Sequence, residues 1–136
     1  NHRIKDVVTR LQPTHVMVGL GHNDLNVGAT PAQLISRANT FVQRVRARAP
    51  EAVIYVAEVK YSDLGTRWNR KARLFNSKLA DYVVNQRRGG YRVYMVNLQR
   101  PGWDQRTMTF DGVHLNDRGE VHFRQSYAGV LLNTSR

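Results

Sequence analysis

Three short apolar runs rich in β-branched residues constrain this chain most: His15-Val-Met-Val-Gly-Leu-Gly21, Ala52-Val-Ile-Tyr-Val-Ala57 continuing through Glu58 to Val59, and Tyr91-Arg-Val-Tyr-Met-Val-Asn-Leu98. Near-continuous hydrophobicity is the pattern of strands covered on both faces, because a half-solvated strand alternates polar and apolar residues. Helical periodicity fills the intervals. Thr30-Pro31 supplies an N-cap and a proline at the first helical position, after which Leu34, Ile35, Ala38, Phe41, Val42 and Val45 recur at three- and four-residue spacing until Pro50. A second helix is expected from about Thr66 to Arg87, carrying Ala72, Phe75, Leu79, Tyr82 and Val83 on one stripe and stopped by Gly89-Gly90. A third begins near Asn116 or Asp117 and carries Val121, Phe123, Tyr127, Val130 and Leu131. Ile4, Val7, Val8 and Leu11 form a short leading helix closed by Pro13. The order α-β-α-β-α-β-α implies βαβ units, hence an α/β domain with a parallel sheet between two helical layers.

With 136 residues, 41% of them hydrophobic, the chain fits one domain over 1–136. A domain of this size buries about 68% of the surface its unfolded form exposes, enough for a core without staples. Cysteine is absent, which excludes disulfide frameworks, Cys-based zinc sites and a thiol nucleophile within this chain. No apolar stretch approaches the ~20 residues needed to span a bilayer. Lys and Arg number 21 against 10 Asp and Glu, a net charge of +11. That balance attracts anionic partners, yet the basic residues are scattered and read equally as solvated helix faces. Trp68, Trp103 and the tyrosines are not interleaved with them as a stacking platform, so nucleic acid is not an expected partner. Gly19-Leu-Gly21 lacks the further glycine and lysine of a phosphate loop. His2, His15 and His122 have no partners at metal-ligand spacing, and no metal or cofactor is expected.

Parallel sheets place their sites at the carboxyl ends of the strands. Two polar clusters fall there: Gly21-His22-Asn23-Asp24 after the first run, and Asp111-Gly112-Val113-His114 at the end of the long connection from Leu98 to Leu115. An Asp three residues before a His can hold one ring N–H, set the tautomer and stabilise an imidazolium. The pair alone reads equally as a helix-cap Asp and a structural His. Asn23 can aim a carboxamide N–H into the crevice as an oxyanion donor. Alone, Asn23 and Asp24 are also ordinary turn residues.

Together the clusters resemble those of the SGNH (GDSL) hydrolases. Gly21-His-Asn-Asp24 resembles that family's Gly-x-Asn-Asp block, Asp111-Gly-Val-His114 its Asp-x-x-His block, and Trp68-Asn69 with Leu74-Phe75-Asn76 its Asn-x-x-Leu-Phe/Tyr-Asn helix. The resemblance implies hydrolysis of carboxylic esters, acyl or acetyl, with an ester substrate and no cofactor. It makes His114 the general base, Asp111 its orienting carboxylate and Asn23 an oxyanion-hole donor, with Gly21 giving the turn room. His22 and Asp24 then line the substrate site, and Trp103 and Phe110 are expected in the pocket wall. Many relatives are secreted, which favours an extracellular over a cytoplasmic location.

The family's Gly-Asp-Ser block, which carries the nucleophile, has no counterpart among Ser36, Ser62, Ser77, Ser126 and Ser135, nor does the block whose glycine completes the oxyanion hole. Ser62-Asp63-Leu64-Gly65 reads as a turn. The family sheet has five parallel strands in flavodoxin-like order, of which this chain would hold the third to fifth. The expectation is therefore an incomplete three-layer α/β/α fold whose first strand exposes an apolar edge, covered by an upstream segment or a second chain that brings the serine. Two alternatives stand beside this reading. One is a non-catalytic binding module using its basic surface for an anionic glycan or nucleic acid, and the other is a fragment with neither activity nor partner.

Overall fold

The computed structural model describes residues 2–134; Asn1, Ser135, Arg136 and the side chain of His2 lie outside the described residues, so the readings of His2 and Ser135 go no further. The elements are α1 (His2–Leu11), β1 (His15–Gly19), α2 (His22–Asn26), α3 (Pro31–Arg46), β2 (Val53–Ala57), α4 (Thr66–Arg88), β3 (Val93–Val96), α5 (Gln105–Met108) and α6 (Asp117–Thr134). The expected alternation is present with two short additions. Helix α2 forms where a turn was expected, because one helical turn from Gly21 buries Leu25. Helix α5 interrupts the long connection, started by Asp104, whose carboxylate accepts the Arg106 N–H at 3.0 Å. Elsewhere the caps follow the sequence: Thr30 and Gln33 form a reciprocal capping box on α3, and the Asn116 side chain accepts the Gly119 N–H ahead of α6.

The sheet is parallel with order β1-β2-β3. Its register sets Val16, Ile54 and Val93 across one row and Met17, Tyr55 and Tyr94 across the next. Side chains alternate between faces. Ile54, Val56 and Val93 join Leu34, Val42, Phe75 and Leu79 of α3 and α4 in one core. Val53, Tyr55, Ala57 and Val96 meet Phe123, Tyr127, Val130 and Leu131 of α6 in the other. All five residues of β2 are buried. No helix among the described residues is long and apolar enough to cross a membrane.

Strand β1 departs from the expectation of cover on both faces. His15, Met17 and Gly19 are exposed, Met17 by 45%. The reason is the placement of α6, whose apolar stripe lies over β2 and β3. Among the described residues β1 also has no partner on its outer edge. Beside that edge is a cavity of about 410 Å³ lined by Ile4, Val18, Leu20 and Phe41 together with Arg37 and Arg44.

Beyond Glu58, whose N–H donates to the Val96 carbonyl at 3.1 Å, the chain leaves the sheet, and its backbone groups need other partners. Two asparagines of α4, seven residues and so about two turns apart, supply them. Asn76 accepts the Val59 N–H and donates to the Val59 carbonyl, both at 2.8 Å. Asn69 does the same for Ser62, at 3.0 and 2.8 Å. Asn76→Ala leaves the buried Val59 N–H without a partner, whereas the carbonyl keeps a bond from the Gln99 side chain at 3.3 Å. Urea unfolding should therefore register a loss of about 2–3 kcal/mol; a loss below about 0.5 kcal/mol, the size of an ordinary surface change, would show that the amide clamp does not hold this segment.

Candidate active site

Two loops at the carboxyl end of the sheet meet across the segment that Asn69 and Asn76 hold. The first leads from β1 into α2. Gly21 has φ +108°, and a Cβ there would lie 3.1 Å from Val59 and 3.2 Å from Leu34. A side chain at this position would thus be strained and crowded, which is why glycine stands where the chain turns over Val59. The Gly21 carbonyl accepts the Leu25 N–H at 2.9 Å, starting the turn that carries His22 and Asn23.

The second loop carries Asp111 and His114. Asp111 Oδ1 accepts the backbone N–H groups of Val113 at 2.9 Å and His114 at 2.7 Å. Its Oδ2 lies 2.6 Å from His114 Nδ1. Acceptance of these N–H groups, that of the His114 backbone foremost, holds the Asp111 carboxyl well below the usual carboxylate range although it is exposed. An ionised Asp111 accepts a hydrogen bond from the Nδ1–H tautomer of His114, which leaves Nε2 with its lone pair. The loop is fastened from outside as well. The Asp63 N–H donates to the Gly112 carbonyl at 2.9 Å, Lys60 Nζ donates to the Val113 carbonyl, and Gly112, at φ +82°, leaves no room for a Cβ against Asp63. Phe110 N–H donates to the His114 carbonyl at 2.9 Å, closing the loop.

A cavity of about 520 Å³ joins the two loops, with His22, Asn23, Lys60 and His114 among its lining residues. The structure therefore brings together Asn23, His22 and the His114–Asp111 pair. It does not bring Asp24, Trp103 or Phe110 to this cavity. The Asp24 carboxylate is bonded to Arg37 on α3. Trp103 packs on α6, its ring centroid 5.7 Å from His122 and 5.5 Å from Phe123. Phe110 is 79% exposed. Nearness in sequence to Asp111 or Asn23 does not determine which way a loop side chain turns.

Lys60 is the lining residue that sequence reading missed. Its signal is position, three residues past the end of β2 on the side where such sheets build sites. Burial pulls its pKa down, with attraction to Asp111 opposing. Burial also lowers His22, and Lys60 and His114 push the same way. The His22 ring lies 4.8 Å from that of Trp68.

The Asn23 side chain and the Asp111-bonded imidazole of His114 thus belong to one site at the carboxyl end of a parallel sheet. The family model of the GDSL-like lipase/acylhydrolase family matches residues 1–121, and the chain belongs to that family. No curated protein is a significant match. Among solved structures, the chain is similar to a family 3 carbohydrate esterase of Clostridium thermocellum at 19% identity and TM-score 0.80, covering 97% of this chain and 62% of that one. A family 3 carbohydrate esterase of Talaromyces cellulolyticus matches at 20% identity and TM-score 0.85, covering 98% and 64%. A GDSL-like lipase of Bacteroides thetaiotaomicron matches at 14% identity and TM-score 0.73, covering 97% and 68%. The chain thus spans less than two thirds of the two carbohydrate esterases. These likenesses establish the fold.

The histidines set an acid limit on stability. Burial lowers both His22 and His122 from the ordinary value of 6.5, so between the folded and unfolded values the unfolded chain binds more protons. Their contribution is complete above pH 6.5 and is lost as pH falls through the folded values. The melting temperature should drop on acidification from pH 6.5, and the drop should shrink in the His22→Gln, His122→Gln double variant. An equal drop in that variant would contradict the assignment.

Proposed function

We propose that this chain hydrolyses carboxylic esters by a Ser-His-Asp mechanism in which His114, Asp111 and Asn23 act on a serine from a preceding segment or a second chain. The observation that carries the reading is the convergence of Asn23 and the Asp111-oriented imidazole of His114 on one cavity. His114 Nε2 takes the serine proton as the serine oxygen bonds to the ester carbonyl carbon. Asp111 stabilises the imidazolium, and the Asn23 carboxamide N–H bonds the oxygen on which negative charge develops. The imidazolium then protonates the departing alkoxide. Water, deprotonated by the same ring, releases the acid from the acyl-serine.

The supply of serine from elsewhere rests on three facts. Among the described residues no hydrogen bond joins a serine hydroxyl to His114: Ser62 Oγ accepts the Leu64 N–H, and Ser126 Oγ donates to the His122 carbonyl. Among the described residues the outer edge of β1 has no partner strand and one face is exposed, next to a cavity walled in part by Ile4, Val18, Leu20 and Phe41. The similar carbohydrate esterases have over a third of their length outside the match. The likeness to carbohydrate esterases favours an acylated or acetylated carbohydrate as substrate. A non-catalytic binding module would leave the convergence of Asn23, Asp111 and His114 without a purpose.

In the full-length protein, His114→Ala should lower kcat on acetyl esters by about a thousandfold or more, with circular dichroism unchanged. Asn23→Ala should lower kcat by about 100- to 1,000-fold with little change in KM. Full turnover by His114→Ala would sink the mechanism.

A further inference from the structure

The His114 side chain is 79% exposed and that of Asp111 53%, so packing does not fix the imidazole and hydrogen bonds must. Most of those bonds stay within the loop: Asp111 with Val113 and His114, Phe110 with the His114 carbonyl, and the Gly112 N–H with the Thr109 hydroxyl at 2.8 Å. They give the loop its shape but not its place. From the segment after β2, two donors reach consecutive carbonyls, the Asp63 N–H that of Gly112 and Lys60 Nζ that of Val113. The first donor is backbone. Among the described residues, Lys60 is the side chain that bonds residues 110–114 to that segment.

The peptide that Lys60 grips is the one leading into His114. Its N–H donates to Asp111 Oδ1 at 2.7 Å, while its carbonyl accepts from Lys60. One peptide plane is therefore held at both ends, by a carboxylate at the N–H and an ammonium at the oxygen. Each charge meets the matching end of the peptide dipole, and hydrogen bonds in series strengthen one another. With that plane held, the ring can move only about the bonds beyond it, and the contact of Nδ1 with Asp111 restrains that rotation.

The setting of Lys60 fits such a task. It is half-buried and lines the cavity together with Asn23 and His114. Among the described residues the ion pairs are Arg37–Asp24 and His114–Asp111, so the Lys60 ammonium has no carboxylate at salt-bridge distance. A charge in this position carries a desolvation cost that a neutral side chain would avoid. Its backbone lies between Val59 and Ser62, both bonded by the α4 asparagines, so the side chain starts from a fixed point.

We infer that Lys60 is a positioning residue for ester hydrolysis, joined to Asp111 through the peptide before His114 and holding the imidazole in its working place. The inference rests on the ester-hydrolase reading and adds a fourth residue to its mechanism. Displacing a catalytic group by about 1 Å costs on the order of 100-fold in rate, which sets the size of the effect.

The test measures kcat and KM on phenyl acetate in the full-length protein, together with hydrogen exchange of the His114 backbone N–H by NMR. Lys60→Met, close in length but without a donor, should lower kcat by about 10- to 100-fold with KM within about twofold, and the His114 N–H should exchange about tenfold faster. Lys60→Arg keeps a charged donor and should return kcat to within about fivefold of the parent. Lys78→Met makes the same charge change at an exposed position of α4 and should leave both readouts unchanged. If Lys60→Met does not fold, Lys60→Arg should still exceed Lys60→Gln in kcat by about fivefold or more. Full kcat in Lys60→Met, equal kcat in Lys60→Met and Lys60→Arg, or a fall in kcat with unchanged exchange would overturn the positioning role, the last because the ammonium would then act through its charge alone. In each of those cases His114→Ala still loses turnover and ester hydrolysis stands. A parent protein that turns over neither phenyl acetate nor an acetylated xylo-oligosaccharide would overturn the ester-hydrolase reading, and the role of Lys60 with it.

Discussion

Two side-chain amides on α4 organise the carboxyl end of the sheet. Past Glu58, whose N–H still bonds the Val96 carbonyl, the chain has no neighbouring strand among the described residues, yet Val59 and Ser62 are buried, at 3% and 1% exposure. Their peptide groups would lose water without gaining partners, a cost that grows where the local dielectric is low. Asn76 and Asn69 each present one acceptor and one donor to one residue's backbone, as an adjacent strand would. With that segment fixed, both halves of the site can be built on it. Gly21 closes over Val59 from one side, while the Lys60 ammonium and the Asp63 N–H donate to the Val113 and Gly112 carbonyls of the Asp111–His114 loop from the other.

Hydrogen bonds, rather than burial, set the charge state of Asp111. Asp111 is half-exposed and remains ionised because three N–H groups converge on it. Such a carboxylate stays charged throughout the range in which an imidazole works as a base. His22 shows the opposite logic: it sits against Trp68 and near Lys60, and burial lowers its pKa, which favours the neutral ring beside Asn23. A neutral ring adds no competing positive charge next to Asn23.

Much of the architecture was legible in the chain because its signals are local. Thr30-Pro31, Gly89-Gly90 and the Asn116 cap mark helix ends through bonds within a few residues, and the three apolar runs name the strands. Asp111 and His114 were legible for the same reason, since their contact spans three residues. What sequence could not show depends on tertiary placement. The turns of α2 and α5 are too short for periodicity. Lys60 enters the site only because α4 fixes its backbone. Asp24, Trp103 and Phe110 were expected in the pocket and turn instead to Arg37, to α6 and to solvent. The open face of β1 was hidden because an apolar run records what a strand can bury, not which helix reaches it.

The central claim is that His114, Asp111 and Asn23 form part of a site completed by a serine from outside residues 2–134. Labelling the full-length protein with a fluorophosphonate and mapping the modified peptide tests it most directly. The account predicts one modified serine, located in a preceding segment or a second chain. Modification of Ser36, Ser62, Ser77 or Ser126, or ester turnover with no modified serine at all, would contradict it.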